Sequence, residues 1–220
     1  MIMSPIKVII TGATGMVGEG VMFECLQNEK VSDVLTVSRK HYEMQHSKLK
    51  ELLVPDFLNL DSFAENIRGY DACFFCAGVS SLGKKEDQFT HLTYDTTIAF
   101  AKSLIRVNPN MVFTYVSGAK TDTSEKGRMM WARVKGKTEN DLAKLGFKGE
   151  YNFRPGAMSP FPNQKNWKPA VKSLIRIIKV VSPKSVLTLK EVGSAMINAV
   201  IIGYPKNVLE VSDIRQLAKE

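Results

Sequence analysis

Gly12, Gly15 and Gly18 stand three residues apart, directly after the apolar run Lys7-Val8-Ile9-Ile10-Thr11. A helical pattern follows them, with Val17, Val21, Met22 and Leu26 at helical spacing. Strand, glycine turn and helix in that order suit one chemistry, the binding of a pyrophosphate. Gly12 permits the sharp turn off the strand, and Gly15 lets the backbone come close to phosphate oxygens. Gly18 lets the helix pack close to the strand. The loop residues Gly12, Thr14 and Gly15, with the first helical residues Met16 and Val17, are the expected cradle. Free N–H groups and the positive end of the helix dipole meet the anion there.

The end of the second apolar run sets which dinucleotide such a cradle would hold. An acid about 20 residues past the glycines accepts from an adenosine ribose 2′-OH. Here Leu35-Thr36-Val37 runs into Ser38, Arg39 and Lys40, a hydroxyl followed by two cations. That combination suits a 2′-phosphate, which an Arg engages with its planar fork. NADP is therefore the expected cofactor and NAD the lesser reading. Asp56 and Phe57, after the third run, are expected beside the adenine. Cys76-Ala77-Gly78, ending the fourth, would let the backbone approach the cofactor ribose.

Other chemistries find little support. Cys73 and Cys76 form a C-x-x-C, but residues three apart on a strand face opposite ways and share no metal. His41, His46 and His91 lack acidic or thiol companions at ligand spacing, so no metal site is expected. Three cysteines, an odd number, argue against a disulfide framework and suit a reducing compartment. The formal charge of +8 comes without the basic stripe and interleaved aromatics of a nucleic-acid binder, so a small-molecule substrate is expected and nucleic acid is not.

The elements that must position these residues alternate along the chain. Strands are expected near Ile6 to Ile10, Asp33 to Ser38, Glu51 to Val54, Tyr70 to Cys76, Asn110 to Val116 and Glu150 to Phe153. Helices are expected at Met16 to Gln27, Ser62 to Asn66, Asp87 to Val107 and Arg128 to Leu145. Apolar strand interiors and this alternation predict an α/β fold, a doubly wound parallel sheet with ligand over the strands' carboxyl ends. At 220 residues the chain fits one domain. Residues 1–154 would form its dinucleotide-binding core and 155–220 a smaller extension over the substrate side. That extension opens with a loop rich in Pro155, Pro160, Pro162 and Pro169. Helices near Ala170 to Val181 and Leu189 to Ile202, a strand at Val208 to Val211 and a helix at Asp213 to Lys219 complete it.

Lys172, Arg176 and Lys179 fall on one face of the first of these helices. A solvated face over the sheet is the main reading and an anionic membrane surface the lesser one. No apolar run approaches the ~20 residues of a membrane span. The first strand begins too early to leave room for a signal peptide, so the cytoplasm is the expected compartment. The oligomeric state is not legible.

Several segments, taken together, carry a resemblance. They are the glycine pattern, Cys76-Ala77-Gly78, Thr114-Tyr115-Val116-Ser117-Gly118-Ala119, Val134-Lys135-Gly136-Lys137-Thr138-Glu139 and Phe153-Arg154-Pro155-Gly156. Spread over most of the first 160 residues, they resemble the atypical branch of the short-chain dehydrogenase/reductase Rossmann proteins. They are similar to its Tat-interacting-protein-related and NAD-dependent epimerase/dehydratase-like members. The resemblance implies that Ser117 bonds a substrate oxygen, that Lys135 holds the nicotinamide ribose, and that Pro155 passes the nicotinamide face. It also implies a proton-transferring Tyr four residues before Lys135, where this chain has Trp131.

An indole N–H only donates, so Trp131 does not cycle a proton near neutral pH. Tyr94 and Tyr115 lack a Lys at the needed spacing and read as packing residues. Arg154 reads either as a substrate-anion anchor or as half of a structural ion pair. Two functions follow. One is an NADP-dependent oxidoreductase or epimerase-like enzyme using Ser117 and Lys135. The other is a non-catalytic dinucleotide-binding sensor or regulator that has lost the phenol.

Overall fold

A computed structural model describes residues 4–161, 164–166, 175 and 185–220. The main sheet has seven strands, all parallel, in the order β3-β2-β1-β4-β5-β6-β9. The strands are β1 Ile6–Thr11, β2 Val31–Ser38, β3 Leu49–Leu53, β4 Ala72–Phe75, β5 Val112–Val116, β6 Gly149–Phe153 and β9 Val208–Leu209. A separate parallel pair joins β7 Ala157–Ser159 to β8 Val186–Thr188.

Both faces of the sheet carry core, as the apolar strand interiors predict. Along β1, Ile6, Val8 and Ile10 join one buried cluster and Ile9 the other, the period of two that a pleated strand imposes. On the first face lie α1 (Met16–Gln27), the helix Leu189–Ile201 and the last helix, Val211–Leu217. The second face is covered from α4 (Thr96–Val107), the 3-10 turns of Phe57–Phe63, α2 (Ala64–Ile67) and the end of α5 (Met130–Leu142). Cys73 packs in one cluster and Cys76 against the other, so the C-x-x-C thiols do lie on opposite faces.

Three sequence expectations need correction. β3 is an edge strand whose five residues are exposed or half-buried, so it lacks the apolar interior expected of every strand. The helix expected over 87–107 is interrupted, running from α3 (Glu86–Thr90) through a π-turn at His91–Asp95 into α4. The loop expected from Pro155 onward contains β7, which pairs with β8 far along the chain.

From Leu189 onward the chain packs on the first face of the main sheet and adds β9 to its edge. A Cβ on Gly20 would stand 2.7 Å from the Leu189 side chain, and one on Gly193 would stand 2.7 Å from Glu24 Cβ. These two glycines let α1 and the helix Leu189–Ile201 approach closely. Ser194 Oγ donates to Glu24 at 2.8 Å across the same contact. Apart from Ile175, the basic segment Ala170 to Val181 lies outside the described residues, as do Pro162 and Pro169.

Candidate dinucleotide site

The three glycines of the opening motif do different work. Gly12 has φ +75°, and a Cβ there would lie 2.8 Å from the backbone of Cys76 and Ala77. A Cβ on Gly18 would stand 2.3 Å from the Gly12 carbonyl oxygen. The fold itself therefore demands Gly12 and Gly18. Gly15 differs, since its Cβ would meet only the Gly12 oxygen at 3.3 Å and its backbone is ordinary extended chain (φ −110°, ψ 166°). It caps α1 and offers no side-chain hydrogen bond, so no capping side chain occupies the first-turn N–H groups. An anion approaching the helix end meets donors and positive dipole there.

A cleft of about 550 Å³ opens on this turn at the carboxyl ends of β1, β2 and β4. Its walls bring together Gly12, Thr14 and Gly15 with Ser38, Arg39 and Lys40, then Asp56 and Phe57, and Cys76, Ala77 and Gly78. Arg39 and Lys40 are exposed, and neither is ion-paired among the described residues. Ser38 is buried and its hydroxyl donates to the Lys40 carbonyl at 2.6 Å, which turns the chain so that both cations stand at the lip. Asp56 caps its own turn, accepting from Leu58 N–H at 3.0 Å and from the Asn59 amide at 2.8 Å. The Phe57 ring packs into the core against Phe100, centroids 5.1 Å apart. Ala77 N–H donates to Thr11 Oγ1 at 3.0 Å and fixes the β4 loop beside the glycine turn. Burial pushes the Cys76 thiol up to about 12, which leaves it unreactive.

Sequence reasoning missed part of this cleft. His91 and Leu92 of the π-turn and Thr96 of α4 form a wall, as do Pro55, Leu58 and Val79. No spacing rule flags them, because they reach the cleft only through the packing of α4 on the sheet.

Ser117, Lys135 and Pro155 do not line this cleft, and neither do Met16 and Val17. The first three meet at the ends of β5 and β6. Ser117 Oγ donates to the Phe153 carbonyl at 3.2 Å, and Ala119 N–H to the Pro155 carbonyl at 3.2 Å. The Lys135 ammonium donates to the carbonyl oxygens of Ser117 and, at 3.4 Å, of Val116. Burial holds that ammonium down at about 8, while the Glu139 charge opposes the shift. Trp131 lies one helical turn before Lys135, its ring 3.9 Å from where a Gly118 Cβ would stand.

Neither tyrosine is placed to replace the phenol. Tyr115 is fully buried, and burial raises its hydroxyl pKa. Tyr94 donates to Asp141 at 2.7 Å beneath the Lys137 ammonium. Arg154 is engaged by Glu139 at 3.0 Å and by Glu210 at 3.3 Å, which makes it a structural ion pair. Among the described residues no group of His, Cys, Asp and Glu is arranged to hold a metal ion, and no helix is long and apolar enough to cross a membrane.

The profile of the NAD dependent epimerase/dehydratase family matches residues 8–121, from β1 to the loop after β5. Protein fmp52, mitochondrial, of Emericella nidulans is 26% identical over 160 residues, 70% of this chain and 67% of that protein. Protein FMP52, mitochondrial, of Candida albicans is 25% identical over 153 residues, 68% of this chain and 66% of that protein. The chain thus spans about two thirds of the length of these curated relatives.

Among solved structures, Helicobacter pylori ADP-L-glycero-D-manno-heptose-6-epimerase superposes with TM-score 0.71 at 13% identity, covering 98% of this chain and 81% of that one. Thermoplasma acidophilum aldohexose dehydrogenase gives 0.70 at 14%, covering 96% and 94%. The Bordetella bronchiseptica enzyme WbmF in complex with NAD+ gives 0.69 at 14%, covering 98% and 77%. At such identities the likeness is one of fold.

Proposed function

The chain belongs to the NAD dependent epimerase/dehydratase family, and on that footing we propose that it binds NADP(H) in preference to NAD(H) and acts as an oxidoreductase or epimerase-like enzyme on a small carbonyl or hydroxyl compound. One observation carries the cofactor choice. Arg39 and Lys40 share a cleft with Gly12, Thr14 and Gly15, and no acid ends β2. A 2′-phosphate would take a charge-assisted bond from the Arg39 fork and a point charge from Lys40. The open Gly15 face and the uncapped start of α1 suit the pyrophosphate. Asp56 and the Cys76–Gly78 backbone line the rest of the same cleft.

A bound nicotinamide supplies hydride transfer. On the substrate side, Ser117 accepts from or donates to a substrate oxygen once its bond to Phe153 opens. Lys135, held near 8, carries or releases a proton at Nζ close to neutrality. Trp131 supplies a wall and a single donor there, not a proton that cycles.

Trp131 also favours the second reading, a dinucleotide-binding regulator without turnover. The similarity to Tat-interacting-protein-related members belongs to this proposal too. We keep the cytoplasm as the working compartment, against the mitochondrial names of the relatives. Cell fractionation decides between them.

Calorimetric titration with NADPH and NADH tests the cofactor reading. NADPH should bind more tightly, and Arg39→Ala should remove on the order of 1.5–3 kcal/mol from NADPH binding alone. Equal affinities in the wild type, or an unchanged Arg39→Ala, overturn it.

A further inference from the structure

A second hollow, of about 410 Å³, opens between the last turns of α5 and the β6–β9 edge of the sheet. It shares no lining residue with the dinucleotide cleft. Glu150 and Asn152, two apart on β6 and therefore on one face, form its floor. Glu150 is 6% exposed and Asn152 2% exposed. Both Glu150 carboxylate oxygens and Asn152 Oδ1 lack a hydrogen-bond partner among the described residues.

The neighbouring charges do not relieve them. Glu139 of α5 and Lys144 just past its end line the hollow, but Arg154 holds Glu139 and Asp141 pairs with Lys144 at 2.6 Å. The Asn152 and Asn207 side chains lower the Glu150 carboxyl by weak hydrogen bonding, but burial and the Glu139 charge outweigh them and its oxygens are left without a well-formed partner. Native interiors rarely leave buried acceptors unpaired, and each costs free energy when they do. Oxygens buried this deep, poorly paired and facing the Glu139 charge suit a ligand that brings N–H groups and positive charge.

We propose that this hollow binds a small organic cation, a primary ammonium or guanidinium compound, whose N–H groups bond the Glu150 carboxylate and Asn152 Oδ1. A metal ion fits less well. The hollow is far larger than an ion, and no cluster of three His, Cys, Asp or Glu side chains suited to a metal exists among the described residues. The site stands independently of the dinucleotide reading.

Burial, reinforced by the Glu139 charge, pushes the empty Glu150 carboxyl up to about 8. The empty carboxyl therefore holds its proton to higher pH than an ordinary one, and an arriving cation, which favours the ionised form, should expel protons on binding.

Calorimetry on the full chain at pH 7 tests this with n-butylammonium, n-butylguanidinium, tetramethylammonium and calcium chloride. The expected result is saturable binding of at least one of the two N–H cations, with proton release read from two buffers of different ionisation enthalpy. Tetramethylammonium, which has no N–H, should not bind. Glu150→Gln should weaken binding by about tenfold or more, as loss of one charge-assisted bond implies. Should that variant fail to fold, carbon-13 NMR of the wild-type Glu150 carboxyl replaces it, and the proposal requires its resonance to shift to the ionised position as probe is added. No saturable binding of either N–H cation, binding undiminished in a folded Glu150→Gln, or a response to calcium alone overturns the proposal.

Discussion

The Tyr42 hydroxyl donates to the Glu19 carboxylate at 2.7 Å, tying the loop that carries Arg39 and Lys40 to the first turn of α1. Glu19 is fully buried, and its other oxygen accepts from Asn166 N–H at 2.8 Å. The Gln164 amide donates to the Met16 carbonyl beside it. One carboxylate thus joins α1, the basic loop and the segment beyond β7. Tyr42→Phe would leave a buried acceptor unpaired and should cost on the order of 1–3 kcal/mol in urea denaturation. NADPH affinity should fall more than NADH affinity, because the loop holding Arg39 loses its anchor. An unchanged denaturation midpoint would show that this bond contributes nothing.

Gly15→Val should fold normally and lose dinucleotide binding. The extended backbone at Gly15 accepts a β-branched residue, with only the 3.3 Å approach of its Cβ to the Gly12 oxygen to relieve. Its side chain would occupy the space a pyrophosphate needs. Gly18→Ala should instead destabilise the protein, since its methyl would stand 2.3 Å from the Gly12 oxygen. Circular dichroism and calorimetry on both variants separate the two roles. A folded Gly15→Val that binds NADPH as the wild type does rules out the assigned cradle.

Lys135 predicts a pH dependence of stability. Its ammonium is held at about 8 in the folded chain against an ordinary 10.5. Between those values the unfolded chain binds more protons, so this group makes stability rise with pH across the window. Below about pH 8 its destabilising effect is fully present, and above 10.5 it is gone. Urea denaturation from pH 7 to 10.5 should show that rise in the wild type and a flatter course in Lys135→Met. Parallel curves for the two proteins would place the ammonium in water rather than against the β5 carbonyls.

Trp131→Tyr distinguishes the two functional readings. A phenol one turn before Lys135 restores a group that cycles a proton, and positioned acid/base groups contribute about 10²–10⁴-fold. If the wild type is silent for want of that phenol, the variant should oxidise NADPH with a small aldehyde or ketone. Ser117→Ala in the same background should reduce the gain. Brisk wild-type turnover that Trp131→Tyr does not change assigns the proton to Lys135 or water. Binding of NADPH without turnover in both proteins favours the regulator.

The opening glycine motif, the basic end of β2 and the backbone loop after β4 were all legible because each is local. A turn that needs positive φ, a helix that starts without a cap and a strand end without an acid are written in adjacent residues. The cleft wall from His91, Leu92 and Thr96 was not, since it depends on how α4 docks on Phe57 and Phe75. Glu150 and Asn152 read in sequence only as polar letters in a strand, and Glu19 only as a helical residue. Their burial depends on which elements cover them.

By itself, then, the sequence determined the alternation of strands and helices, the two-faced sheet and the glycine turn with its neighbouring cations. Hydrophobic period and turn chemistry act over a few residues, and short range makes them readable. Tertiary structure alone decided that Arg154 serves an ion pair, that Lys135 reaches the β5 carbonyls, and that β7 finds β8 from Ala157 to Val186. It also brought Glu19, Tyr42 and Asn166 to one point. Those contacts join residues distant in the chain, and only the packing of the layers sets which of them lose water and must pair with each other.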